Sequence, residues 1–266
     1  MRKTLILGNW KMHLNVSQAS LLLHRLQERV KTHQDIEVVL APTMLTLQPL
    51  SVQLDRRKFR LAAQNAYQQD EGAFTGEISF TMLRELVHYV IVGHSERRIG
   101  FHEDLEIVRD KVAAAIRNEI TPIICVGEST HEHMLGEGMQ VLHDQVVSAL
   151  SNLTAADVGN IVLVYEPQWT ISTSASGAPA KPDEAKKGMD FIRHQVSELY
   201  GEKAAQKVRV LYGGSVDDHS ARAYLELEGC DGVLVGSASL NYHKFSTIVE
   251  KAFELRQEQE SATDGQ

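Results

Sequence analysis

Eight short apolar runs, alternating with stretches of helical spacing, predict an α/β protein whose parallel strands close into a single-domain (β/α)8 barrel. Three observations carry that expectation. The runs are rich in β-branched residues and recur along the whole chain, at Thr4–Trp10, Ile36–Pro42, Phe59–Asn65, Tyr89–His94, Thr121–Gly127, Ile161–Glu166, Lys207–Tyr212 and Gly232–Gly236. Several are apolar at nearly every position, as strands covered on both faces are. Eight such units close a barrel, whereas an open doubly wound sheet usually has fewer, and no linker-like change of composition divides the 266 residues.

Between the runs the apolar period lengthens. Val16–Val30 places Leu21, Leu22, Leu26 and Val30 on one face, and Leu105–Ile116 does so with Leu105, Val108, Val112 and Ile116. His143–Leu150, Asp183–Tyr200 and Tyr242–Leu255 also read as amphipathic helices, the second opened by Pro182 and two acidic residues that suit a helix N-terminus. Residues 1–256 form the predicted barrel domain, and the polar stretch 257–266 reads as a disordered tail.

Composition narrows the function. A hydrophobic content of 43% supports a sizeable core, and a formal charge of −8 argues against nucleic acid as a partner while leaving room for a small anion bound by local charge. No apolar stretch is long enough to span a membrane, and the short start MRKTLILGNW lacks the features of a signal peptide. Two cysteines, Cys125 and Cys230, lie far apart in apolar surroundings and suit free thiols in a reducing cytoplasm.

In a (β/α)8 barrel the chemistry gathers at the C-terminal ends of the strands, where eight loops converge. The first strand ends in Gly8-Asn9-Trp10-Lys11, the fourth in Gly93-His94-Ser95-Glu96 and the sixth in Tyr165-Glu166; Gly213-Gly214-Ser215 and Gly236-Ser237 follow the seventh and eighth. Period-two alternation puts Asn9 and Lys11 on one side of their strand. Pro167 ends the sixth strand's ladder, and the small, polar segment after it, anchored by Trp169 and Ile171, has the composition of a lid beside the carboxylate of Glu166. Among twelve histidines, His94 alone lies in a strand-end motif; His13, His24 and His131 read as surface residues. Glycine turns after the seventh and eighth strands, with a short helix after Gly236, offer backbone N–H groups to a phosphate.

The segments GNWKM, AYQQDEGAFTGEIS, VGHSERR, PIICVGE, YEPQW, YGGSV and DGVLVGSASL, spread in order over the chain, resemble the triosephosphate isomerase family. The resemblance implies a TIM barrel that interconverts dihydroxyacetone phosphate and D-glyceraldehyde 3-phosphate with no cofactor and no metal, and that assembles as a homodimer. It implies Glu166 as the base, His94 as the group that polarises the carbonyl, Lys11 and Asn9 as charge and hydrogen-bond donors, and Glu96 as their orienting partner. Substrate and phosphate contacts would come from Asn9, Lys11, Ser172, Ser215, Gly236 and Ser237, and the lid from Pro167, Trp169, Ile171, Ser172 and Thr173. The segment 64–79, with Thr75, Gly76 and Glu77, would dock into the partner, Thr75 reaching the partner's Asn9 and Lys11. The chain departs from the family pattern in Ser172-Thr173-Ser174, in a lid about three residues longer, in Ser237 after Gly236 and in His13. The altered lid leaves open an isomerase for a longer ketose phosphate, such as a tetrulose phosphate, and, less favoured, a barrel that binds a sugar phosphate without turning it over.

Overall fold

Strong β-formers at alternating depth set the architecture. The computed structural model describes residues 2–170 and 179–264. In it β1 (Thr4–Asn9), β2 (Ile36–Ala41), β3 (Phe59–Ala63), β4 (Tyr89–Val92), β5 (Thr121–Val126), β6 (Val162–Tyr165), β7 (Arg209–Tyr212) and β8 (Gly232–Val235) lie in chain order. They form a closed barrel in which β8 returns to β1, pairing Leu5 with Gly232 and Gly8 with Val235. All eight predicted strands are present, each ending within two residues of the expected position.

The period of two sorts the strand residues into two cores. Leu5, Leu7, Val39, Ala41, Ala62, Tyr89, Ile91, Ile123, Cys125, Val162, Val164, Leu211 and Leu234 fill the barrel interior. Their neighbours, among them Ile6, Leu40, Val90, Ile124, Leu163, Val210 and Val233, face outward against the helices. Extending the inward set by one more step reaches Asn9, Gln64, Gly93, Gly127, Glu166, Gly213 and Gly236. This top layer therefore holds few side chains and several glycines, so the packed interior gives way to open space at the C-terminal mouth.

The five predicted helices are present, at Val16–Arg29, Leu105–Arg117, Gly138–Leu150, Pro182–Tyr200 and Tyr242–Asp264. Side-chain caps define the starts of the first two: Asn15 and Gln18 form a reciprocal capping box, and the Asp104 carboxylate accepts from Ile107 N–H at 2.8 Å. The helix Met44–Gln53 escapes the sequence pattern because Pro49 lies inside it. An interior proline costs roughly 3 kcal/mol of helix stability. Burial of Leu47 and Leu50 offsets that loss in context.

The expected disordered tail is corrected. The last helix continues past Gln257 to Asp264. Gln and Glu in the sequence QEQE are good helix formers, so a helix whose first turns are buried by Phe245, Ile248 and Val249 extends through them. An ion pair of Glu258 with Arg222 at 2.8 Å fastens the extension.

Candidate active site

At the end of β1 the chain leaves the strand, and the alternation argument for Lys11 fails. Asn9 points inward by parity, but Lys11 lies beyond the strand with φ of +50°, in the left-handed region. Side-chain bonds hold it there. Asn9 Oδ1 accepts from Lys11 N–H at 3.1 Å, and the Gln64 amide donates to Lys11 O and Ala41 O, each at 2.8 Å. The extended Lys11 side chain ends on Glu96, Nζ to Oε1, at 2.7 Å.

His94 is aimed by a similar break. Gly93, with φ of +70°, ends the alternation of β4, and Arg98 fixes its carbonyl by donating from Nε at 2.7 Å. His94 then caps the short helix Ser95–Gly100. Glu96 N–H donates to His94 Nδ1 at 3.2 Å, which leaves the proton of the neutral ring on Nε2. That nitrogen lies 3.0 Å from Glu166 Oε1, and Ser95 N–H donates to Glu166 Oε2 at 3.0 Å.

The Glu166 carboxylate is 2% exposed. Burial opposes its charge, but the His94 ring and the Ser95 N–H outweigh burial and hold it below the usual glutamate range. Burial likewise opposes a charged His94, and the carboxylate alongside pulls its pKa up. The Glu96 carboxylate adds to that pull, while Lys11 and the Glu96 N–H bond to Nδ1 oppose it. Cys125 sits beneath, its thiol pushed well up by burial and by Glu166.

Lys11, His94 and Glu166 line a cavity of about 40 Å³ with Gly213, Gly214, Ser215, Gly236 and Ser237. It adjoins a groove of about 390 Å³ that shares Lys11 and His94 and adds Asn9, Gln64, Gly76, Glu77 and Glu96. A one-turn 3-10 helix, Ser237–Leu240, begins directly after Gly236. The Lys11 ammonium, the glycine turns after β7 and β8 and the Glu166 carboxylate beside the His94 imidazole thus line one space. Such a set can hold a phosphate, remove a proton from carbon and donate one to oxygen.

The structure brings Asn9, Lys11, His94, Glu96, Glu166, Ser215, Gly236 and Ser237 to this mouth, with Gly76 and Glu77 at the groove's edge. Thr75 is exposed and outside the groove lining. Pro167 and Trp169 turn away from the cavity. Trp169 Nε1 donates to Glu128 Oε1 at 2.7 Å, beside Tyr165 OH at 3.0 Å, while Gln168 binds Gly127 O and Glu128 O. Ile171, Ser172 and Thr173 lie outside the described residues. Sequence reading gave no role to Gln64, the Ser95 amide, Gly127 or Glu128. Ser95, Gly127 and Glu128 lie within the family-like segments VGHSERR and PIICVGE, and Gln64 lies at the end of the third apolar run.

A model of the family described as triosephosphate isomerase matches residues 4–252. A triosephosphate isomerase of Chloroherpeton thalassium is 41% identical over 257 residues, spanning 95% of this chain and all of that protein. Those of Flavobacterium johnsoniae and Clostridium botulinum are 37% and 41% identical over 250 residues each, 94% of this chain and 99% of theirs. On its sequence, its barrel and the extent of these matches, the chain belongs to the triosephosphate isomerase family.

Proposed function

We propose that this chain is the aldose–ketose isomerase that interconverts dihydroxyacetone phosphate and D-glyceraldehyde 3-phosphate, an intramolecular oxidoreductase. The observation that carries the reading is the buried contact of Glu166 with His94 at 3.0 Å, opening on a cavity that also holds Lys11 and the glycine turns after β7 and β8. Glu166 leaves Ser95 and His94, takes a proton from the carbon beside the substrate carbonyl and returns it to the neighbouring carbon. His94 Nε2–H donates to the carbonyl oxygen as charge builds there, and the resulting enediol passes its other hydroxyl proton back. The net change moves one hydrogen from carbon to carbon and one from oxygen to oxygen. Lys11, held by Glu96, places a positive charge beside the enediolate and the phosphate. Ser215, Gly236 and Ser237 cradle the phosphate, together with Ser172, and Asn9 fixes the oxygen side of the substrate.

The alternative of a longer ketose phosphate rested on Ser172-Thr173-Ser174, and no feature of the described site favours it. The chain acts as a homodimer in the cytoplasm. Free Cys125 and Cys230 suit that compartment, and among the described residues no helix is long and apolar enough to cross a membrane. Exposed Met12, Phe101 and Phe74 near the groove suit a second copy. Turnover of glyceraldehyde 3-phosphate by the purified chain, compared with a four-carbon ketose phosphate, tests the reading. Efficient turnover of the triose alone is expected, and Glu166→Asp lowers kcat about a hundredfold or more while KM changes little. Equal loss in both constants would remove Glu166 from the role of base.

A further inference from the structure

Trp169 lies in the 3-10 turn Gln168–Thr170, just after Glu166 and Pro167 begin the loop, and its indole is held from two directions. Nε1 donates to Glu128 Oε1 at 2.7 Å, and the His133 ring stacks on the indole face with centroids 4.3 Å apart and an angle of 27° between planes. His133 Nδ1 lies 3.5 Å from the same Glu128 oxygen. Glu128 is buried, and among the described residues its Oε2 has no hydrogen-bond partner. The three groups line a cavity of about 230 Å³ together with Tyr165, Glu184 and Lys187.

We propose that His133 is a positioning residue for Glu166, acting through Trp169, and that its charge sets how firmly the turn is held. A neutral imidazole only stacks on the indole. An imidazolium adds a cation over the ring face and charge attraction to the buried Glu128, whose Oε1 it faces at 3.5 Å. The cation over the ring keeps Trp169 beside Glu128, the arrangement in which Glu166 is bound to His94 and Ser95. Glu166 has to leave those bonds to reach a substrate carbon, so a cation at position 133 opposes the catalytic move. Glu128, Glu184 and Lys187 are the charged groups that share this cavity with His133, and Tyr165 donates to the same Glu128 oxygen. His131, Glu132 and Glu137 are carried by His133's own helical turn and its end.

This inference rests on the isomerase reading, and one of its two measurements does not need turnover. The proteins are the unaltered chain, His133→Gln, uncharged throughout, and His133→Arg, charged throughout. The first readout is indole emission from pH 8 to pH 5, because a protonated imidazole stacked on an indole quenches it. Emission of the unaltered chain falls on acidification, and this fall is missing from both variants. The second is the ratio of kcat for His133→Gln to kcat for the unaltered chain, in which titrations common to both cancel. It rises about threefold to tenfold on acidification, with KM little changed, while His133→Arg stays below His133→Gln at every pH. Identical emission titrations in all three proteins, or a flat kcat ratio, would overturn the proposal. Absence of turnover in all three would sink the isomerase reading instead, leaving emission to decide the contact.

Discussion

Glu166 is anchored before any ligand arrives, and its anchors define a pH window. Its folded pKa is lowered, so the stability it contributes is present above the ordinary glutamate value and is lost as pH falls through the lowered one. His94 is shifted the other way, so its share is complete below the ordinary histidine value and is lost as pH rises through the raised one. Glu166→Gln removes both contributions. The gap in Tm between the unaltered chain and this variant is therefore widest from about pH 4.5 to about pH 6.5 and narrows on either side. Thermal melts followed by circular dichroism at pH 4, 5.5 and 8 measure it. A gap that widens steadily towards acid would mean that burial, not the His94 and Ser95 bonds, governs the carboxylate. The residues differ in how plainly sequence shows them. Asn9 and Glu166 follow from strand parity alone, since each is one step beyond an inward-facing pair. Lys11 does not, because its left-handed φ is enforced by Gln64 from another strand end, a contact no local pattern encodes.

At the scale of elements, the strand ends are held in register by close backbone approaches. Gly127 follows β5, and a methyl group added there would lie 1.9 Å from Glu166 O. The same neighbourhood carries the bond from Glu166 N–H to Val126 O at 2.8 Å, so the base and the end of β5 are fixed to each other. Gly127→Ala has to push β5 and β6 apart at the mouth. It is expected to fold with Tm lowered by several degrees and to lose about a hundredfold in kcat, because misplacement of a base by about 1 Å has that effect. Crystallography of the variant, or the kcat measurement alone, checks this; full activity would show that the approach is slack. Strands were legible because inward and outward positions are both apolar, and capped helices were legible through their period. Met44–Gln53 was hidden by Pro49, and the tail was misread because polarity describes exposure, not conformation.

For the whole molecule, closure of β8 onto β1 gathers onto one rim groups separated by more than two hundred residues, from Asn9 to Ser237. That closure follows from eight βα units and so was readable. Docking of a second copy at the rim came only from the family resemblance, since no periodicity within one chain encodes contact with another. The segment 64–79 nevertheless has a defined shape in the single chain. Tyr67 N–H donates to Ile78 O at 2.8 Å, the rings of Tyr67 and Phe74 lie 4.6 Å apart, and Arg117 holds Asp70 at 2.8 Å. In the proposed homodimer, this ordered excursion, which leaves Phe74, Thr75 and Glu77 exposed beside a groove where Met12 is 92% exposed, would insert into the groove of a copy. Under the proposed dimer, Thr75 enters the region of the partner's strained Lys11 turn, so dissociation loosens the turn as well as the interface. In that arrangement Thr75→Arg would place a long cation near the partner's Lys11, a like-charge contact. Sedimentation should show a monomer at micromolar concentration, with kcat lowered about a hundredfold or more and the circular dichroism of the barrel retained. A variant that stays dimeric with unchanged kcat would place the docking surface elsewhere on the molecule.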